Sequence, residues 1–90
     1  MPKAHITCKV LPGLFENEFY VMVNGSSAYY ISRDNIINLE GKPEVGKPVN
    51  GVVVGYIVES EGAKTLVQLP GEVVVGGPRA WVESADVVAA

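Results

Sequence analysis

Cysteine and histidine are almost absent from this sequence, which contains one of each, Cys8 and His5. A lone cysteine cannot form an internal disulfide, whereas small secreted domains usually depend on several. We therefore expect a protein of the reducing cytoplasm. A structural zinc site needs about four Cys or His ligands. The sequence accordingly predicts no metal and no cofactor.

The same scarcity argues against nucleophilic catalysis. Residues 4–10 (AHITCKV) alternate apolar and polar side chains, which predicts a β-strand with one buried face. His5 and Cys8 lie three residues apart, so on a strand they point to opposite faces and cannot form a catalytic pair. We interpret Cys8 as a core residue and His5 as a solvated one.

Acidic and glycine-rich motifs suggest no better catalytic site. Glu16 and Glu18 are two residues apart beside a predicted turn, as are Glu59 and Glu61. Either pair could hold an oxygen-seeking cation or act as an acid/base couple, but such pairs are usually solvated charge. The glycines of GEVVVGGP lack the Lys and Ser/Thr of a phosphate-binding loop. We predict a protein that is not an enzyme.

Long apolar runs and clustered positive charge are also missing. No apolar run approaches the roughly 20 residues that span a bilayer, and the N-terminus lacks the apolar core of a signal peptide. Membrane association is therefore not expected. Ten acidic residues against seven basic ones give a net charge of −3. Nucleic acid is disfavoured as a partner, because phosphate binding depends on Lys and Arg.

Apolar residues are plentiful, at 48% of the 90 residues against 19% charged. This length supports one hydrophobic core, so residues 1–90 are predicted to form a single β-barrel domain. A core of this size leaves much apolar surface in water, and a homo-oligomer would cover it. Unpaired valine-rich edge strands would strengthen such association.

A period of two runs through most of the chain and predicts an all-β fold. Asn24-Gly25 predicts a type I′ hairpin, because both central positions of that turn need positive φ. The predicted strands are AHITCKV, EFYVMVN, SAYYISR, VNGVVVGYIVES with its centre buried on both faces, KTLVQLP and RAWVES. Residues 38–50 are interpreted as a loop joining two halves.

Two segments leave alternatives open. EVVV is either a short strand or part of a long hairpin loop. SADVVAA is either a helical turn capped by Ser84 or a 3₁₀ turn followed by a short closing strand.

An internal echo relates residues 30–37 (YISRDNII) to residues 81–88 (WVESADVV). Each is an aromatic, an aliphatic, three mostly polar positions, Asn or Asp, and two aliphatics. The echo predicts a pseudo-repeat of two three-stranded halves in a small, partly open barrel of five to seven antiparallel strands.

The C-terminal GGPRAWVESADVV is similar to the last strands of SH3-like barrels, in which a strand with an exposed aromatic enters a 3₁₀ turn and a final aliphatic strand. The resemblance covers 13 of the 90 residues and implies an SH3-like or related barrel. That family binds peptides, nucleic acids or small ligands through an aromatic-lined groove, and one fold supports many functions.

Aromatic residues are the best candidates for a binding surface. Adjacent strand residues such as Tyr29 and Tyr30 point to opposite faces, so some of the seven aromatics must be exposed. Tyr30 and Trp81 occupy equivalent places in the echo, with Arg33 and Arg79 nearby in sequence. Tyr and Trp commonly anchor interfaces. We predict a binding surface that comprises Tyr29, Tyr30, Arg33, Arg79 and Trp81.

These observations predict a non-enzymatic interaction module that binds a protein partner or a second copy of itself through an exposed aromatic β face. The alternative is a β-barrel that binds a small ligand in a pocket at its mouth or at a subunit interface. Single-stranded nucleic acid ranks third, because stacking on aromatics would also require a positive groove.

Overall fold

Alternating apolar residues form nine β-strands in the computed structural model, which describes residues 1–90. Two 3₁₀ turns, Arg33–Asn35 and Ser84–Asp86, are the only helical elements. None of the helical structure is long and apolar enough to cross a membrane. The strands are β1 (Lys3–Pro12), β2 (Glu18–Val23), β3 (Ser27–Ser32), β4 (Ile36–Ile37), β5 (Val49–Glu61), β6 (Lys64–Gln68), β7 (Glu72–Val75), β8 (Arg79–Glu83) and β9 (Val87–Ala89).

Seven of these strands form one curled antiparallel sheet in the order β7-β3-β2-β1-β5-β6-β8. The two short strands pair at its sides, β4 with β5 and β9 with β1. The sheet curls into a half-barrel, which confirms the predicted all-β fold and open barrel. At this coarse level the architecture is compatible with an SH3-like fold.

The internal echo corresponds to a pseudo-two-fold arrangement of the strands. In each half a strand enters a 3₁₀ turn and then a short strand: β3 leads to β4, and β8 leads to β9. Each short strand pairs with the first strand of the other half, through Ile36 with Val53 and Val87 with Ile6. Ile6 and Val53 also pair with each other, so the pseudo-axis passes between them. The 3₁₀ turn with a closing strand is thus the correct alternative for SADVVAA, and EVVV is strand β7.

Strand alternation builds a single core cluster. β1 buries every second side chain, as predicted, and Cys8 is among the buried residues; β2 alternates in the same way. The cluster comprises Ala4, Ile6, Cys8, Val10, Phe19, Val21, Val23, Tyr29, Ile31, Ile36, Val53, Val67, Leu69, Ala80 and Val82.

The prediction for the centre of β5 was wrong. Val53 is fully buried, but Val52 and Val54 on the other face are half-buried. A single curled sheet has one inner face, and no second layer covers the outside of β5.

The β2–β3 hairpin lies where Asn24-Gly25 predicted it, with φ of 53° and 80° at these two residues. Its loop contains one more residue than a two-residue type I′ turn, because Val23 pairs with Ser27. The Asn24 side-chain oxygen accepts hydrogen bonds from the backbone N–H of Ser26 at 2.9 Å and from its hydroxyl at 2.8 Å. These bonds hold Ser26 within the loop.

Candidate functional site

Tyr29 lies inside the barrel. Its side chain is fully buried, and its hydroxyl donates a hydrogen bond to the Gly77 carbonyl at 2.8 Å. A residue in this position cannot touch a partner in the folded state. The prediction of a surface role for Tyr29 therefore conflicts with its burial, and Tyr29 belongs to the core.

Tyr30 lies on the opposite, outer face of β3 and is half-buried. It pairs with Tyr20 across the strands, and their rings meet edge to face at 5.5 Å between centroids and 68° between planes. This geometry suits the quadrupoles of aromatic rings. The strand registers extend the pair into one cross-strand row, Leu11–Tyr20–Tyr30–Glu72.

An apolar cleft of about 160 Å³ lies over this tyrosine pair. We call it the Tyr30 cleft; its lining residues are Leu11, Pro12, Gly13, Leu14, Tyr20, Tyr30, Val45 and Gly46. Two loops form its rim, residues 13–17 after β1 and residues 38–48 before β5. Leu14 is 70% exposed and Val45 is 89% exposed. The rim thus presents two large aliphatic side chains to solvent above an aromatic floor.

Local hydrogen bonds fix the conformation of the first rim loop. The Glu18 carboxylate accepts from the Leu14 backbone N–H at 3.2 Å, and Gly13 packs so closely on Glu18 that a Cβ would lie 2.6 Å from its carbonyl oxygen. Arg33 donates from Nε to the Glu16 carbonyl, and its guanidinium lies 4.3 Å from the centre of the Phe19 ring. Arg33 therefore supports the loop beside the cleft through a hydrogen bond and a cation–π contact.

Trp81 and Arg79 lie on β8, at the other end of the sheet order, and neither lines the Tyr30 cleft. Trp81 pairs with Leu66, as Tyr30 pairs with Tyr20 in the first half. Arg79 donates from Nε to the Gln68 side chain at 3.1 Å. A short turn joins β5 to β6 in the second half, so no rim rises beside Trp81. The structure does not bring the predicted residues into one site.

The sequence prediction included Tyr30 but missed the rest of the cleft, and the exposed apolar residues among those missed are Leu14 and Val45. Neither follows strand periodicity, and loops run over the surface without a repeating pattern. One signal was available, because both are large aliphatic residues within glycine- and proline-rich loops.

A second, larger cleft of about 330 Å³ lies beside the Asn24 hairpin, and its lining residues include Thr7, Lys9 and Asp86. Two of its polar side chains already have partners within the chain, whereas the Asp86 carboxylate has none. Lys9 donates from Nζ to the Asn50 side chain, and Asn24 donates from Nδ2 to the Trp81 carbonyl at 2.7 Å. Asp86 is therefore the one charged side chain of this cleft that is free to orient a small ligand.

The burial of Cys8 can be tested through the pH dependence of the free energy of unfolding. Burial raises the pKa of the thiol from 9.0 to about 12. Above pH 9 the unfolded chain loses this proton while the native chain keeps it. The free energy of unfolding should therefore fall with rising pH, by up to about 1.4 kcal/mol per pH unit. Urea unfolding between pH 8 and 10 measures this slope.

The matched variant is Cys8→Ala, which lacks the thiol contribution to the slope. Identical slopes for the two proteins would show that the thiol ionises equally in the folded and unfolded chains. The interval stays below pH 10 because burial also raises the pKa of Tyr29 from 10.0, which adds a similar dependence at higher pH.

The chain matches no protein-family model, no curated protein and no solved structure.

Proposed function

We propose that the protein is a non-enzymatic interaction module that binds an apolar segment of a partner protein in the Tyr30 cleft. The observation that carries this proposal is the exposure of Leu14 and Val45 on either side of the Tyr20–Tyr30 pair. Solvent-exposed aliphatic side chains grouped around an aromatic floor are typical of interaction sites, because a partner removes their apolar surface from water.

The size of the cleft favours a side chain of a partner over a metabolite. Pockets for drug-sized ligands enclose roughly 300–1,000 Å³, whereas the Tyr30 cleft encloses about 160 Å³. A cleft of this size suits a single apolar anchor, with the rest of the partner lying across Leu14 and Val45. Anchors of this kind supply most of the binding energy in many interfaces.

The support of the first rim loop favours binding as well. Glu18 and Arg33 hold residues 13–17 in place before any partner arrives. A rim that is already ordered loses less conformational entropy on association. Arg33 thus contributes by positioning the loop, whereas the aromatic and aliphatic side chains make the contacts.

Two finer points belong to the same proposal. The strand, 3₁₀ turn and short strand that end each half favour an SH3-like barrel over other half-barrels. The unpaired Cys8 favours a reducing compartment, which we take to be the cytoplasm.

Partner capture with matched aromatic variants tests the proposal. Tyr30→Ala removes half of the cleft floor and should weaken partner binding at least 10-fold, the effect expected of an interface anchor. Trp81→Ala is the control, because it deletes the equivalent aromatic of the second half, where no cleft exists. Binding is measured by titrating the captured partner against each purified variant, after circular dichroism has shown that both are folded.

Leu14→Ser should also weaken partner binding, because it removes an apolar side chain from the rim and leaves both tyrosines unchanged. Full binding by both Tyr30→Ala and Leu14→Ser would contradict the proposal. Thermal stabilisation of the wild type by one member of a metabolite panel, lost in Tyr30→Ala, would favour the small-ligand alternative.

A further inference from the structure

The seven-strand path of the sheet ends in two edge strands, β7 and β8, which differ in how they are protected, and the shorter strands β4 and β9 also pair on one side only. An edge strand exposes unpaired backbone N–H and C=O groups that can pair with another chain. Natural proteins block such edges with charged side chains, proline, bulges or covering contacts. The comparison of the two edges shows which one remains open.

The β8 edge is protected in two ways. Its exposed positions include Arg79 and Glu83, and Glu83 forms a 2.6 Å salt bridge with Lys64. The Asn24 side chain reaches over from the β2–β3 hairpin and donates to the Trp81 carbonyl at 2.7 Å. A pairing strand would have to displace this contact.

The β7 edge carries one charged residue, Glu72, and one bulge, and is otherwise apolar and uncovered. All four residues of Glu72–Val75 are exposed, and Val73, Val74 and Val75 keep 37%, 44% and 51% of their surface in solvent. The strand contains neither Lys, Arg nor Pro. Its one irregularity is a register shift opposite Ala28 and Tyr29, where Val74 is the extra residue.

Glycines at both ends hold β7 firmly against β3. Gly71 has a φ of +89°, and a Cβ there would lie 2.2 Å from the Tyr30 carbonyl oxygen. A Cβ at Gly76 would lie 2.8 Å from the Ser27 hydroxyl. Beyond the strand, the Tyr29 hydroxyl binds the Gly77 carbonyl. The edge is therefore ordered before it meets a partner, which lowers the entropic cost of pairing.

We propose that β7 pairs antiparallel with β7 of a second copy of this chain, joining two sheets into one across a two-fold axis. A strand from another chain can complete an open edge. When two copies of EVVV pair antiparallel over their full length, Val73 of each chain faces Val74 of the other, and Glu72 faces Val75. The two Glu72 carboxylates lie at opposite ends, whereas a parallel pairing would bring them together and cause repulsion.

The two-fold contact uses the same patch on both chains, so it closes as a dimer and does not propagate as a fibre. Val75 also borders a small apolar hollow with Tyr20, Met22 and Ala28, which adds contact area on the outer face. A four-residue strand with a bulge nevertheless gives a ladder smaller than those of stable interfaces, which bury roughly 1,200 Å² or more. We therefore infer a weak, reversible dimer.

Sedimentation equilibrium over a concentration series, from about 10 μM to about 1 mM, covers the range expected of such a dimer. The weight-average mass of the wild type should rise from 9.6 kDa towards twice that value. Val74→Lys places like charges next to each other across the two-fold axis and should keep the mass at the monomer value. Val88→Lys is the control: Val88 is 64% exposed on the short strand β9, and its variant should associate like the wild type.

Amide hydrogen exchange of the wild type gives a second readout that needs no variant. The Val73–Val75 amides should exchange more slowly at high concentration, because pairing protects an edge strand. A constant monomer mass, unchanged association of Val74→Lys, or β7 exchange that does not depend on concentration would each overturn the proposal. Leu14→Ser should still self-associate, so failure of the proposed function and failure of this inference are distinguishable.

Discussion

Replacement of Tyr29 by alanine is expected to lower the free energy of unfolding by about 3–5 kcal/mol, as for other large aromatic residues in protein cores. Tyr29 is fully buried, packs within the core cluster and donates to the Gly77 carbonyl. The variant loses the apolar contacts, leaves a cavity and removes a partner from that carbonyl. Against a total stability of roughly 5–15 kcal/mol for a folded domain, this loss is a large fraction. Urea titration followed by tryptophan fluorescence measures it.

The adjacent residue provides the matched control. Tyr30 is half-buried on the outer face, so Tyr30→Ala should cost about 1 kcal/mol, well below the loss at Tyr29. Tyr29→Phe should lose about 1–2 kcal/mol, because it keeps the ring and removes only the hydrogen bond. Equal losses of stability for the two alanine variants would contradict the assignment of Tyr29 to the core and Tyr30 to the surface.

The position of each strand could be predicted from the sequence because its signal is local. In β1 the alternation of Ala4, Ile6 and Cys8 with polar residues identifies both the strand and its buried face. At the first hairpin, Asn24 and Gly25 tolerate the positive φ that the turn requires. Both predictions depend only on residues that are close in sequence, and tertiary packing leaves the strand and the turn where these residues place them.

Which face of the sheet Tyr29 and Tyr30 occupy depends on the length of the β2–β3 loop, and the Asn24-Gly25 pair alone does not specify that length. A two-residue turn would pair Val23 with Ser26 and place Tyr29 opposite Tyr20. The observed loop includes Ser26, so Val23 pairs with Ser27 and Tyr30 lies opposite Tyr20. A shift of one residue exchanges the two faces of a strand. Two hydrogen bonds to the Asn24 side chain hold this register, and they involve side-chain geometry that periodicity does not encode.

The cleft could not be predicted because its rims come from distant parts of the chain. Leu14 follows β1 and Val45 precedes β5, and only the pairing of β1 with both β2 and β5 brings the two loops to one end of the sheet. The echo correctly relates Tyr30 to Trp81 as equivalent strand positions. It does not show that a long loop rises beside Tyr30 and only a short turn joins β5 to β6, and this difference gives the two halves different surfaces.

Gly71→Ala should destabilise the protein by about 3 kcal/mol or more, because it combines two penalties. A φ of +89° is unfavourable for a residue with a Cβ, which costs about 1–2 kcal/mol. The new methyl group would also lie 2.2 Å from the Tyr30 carbonyl oxygen, a backbone atom that moves only if β7 separates from β3. Gly62→Ala is the control, since its φ is +63° and no atom lies within 4 Å of the added carbon. The difference between the two urea-unfolding free energies isolates the close packing of β7 on β3. Equal losses would show that β7 adjusts at no cost, and a freely adjusting strand would also lack the order on which pairing with a second chain depends.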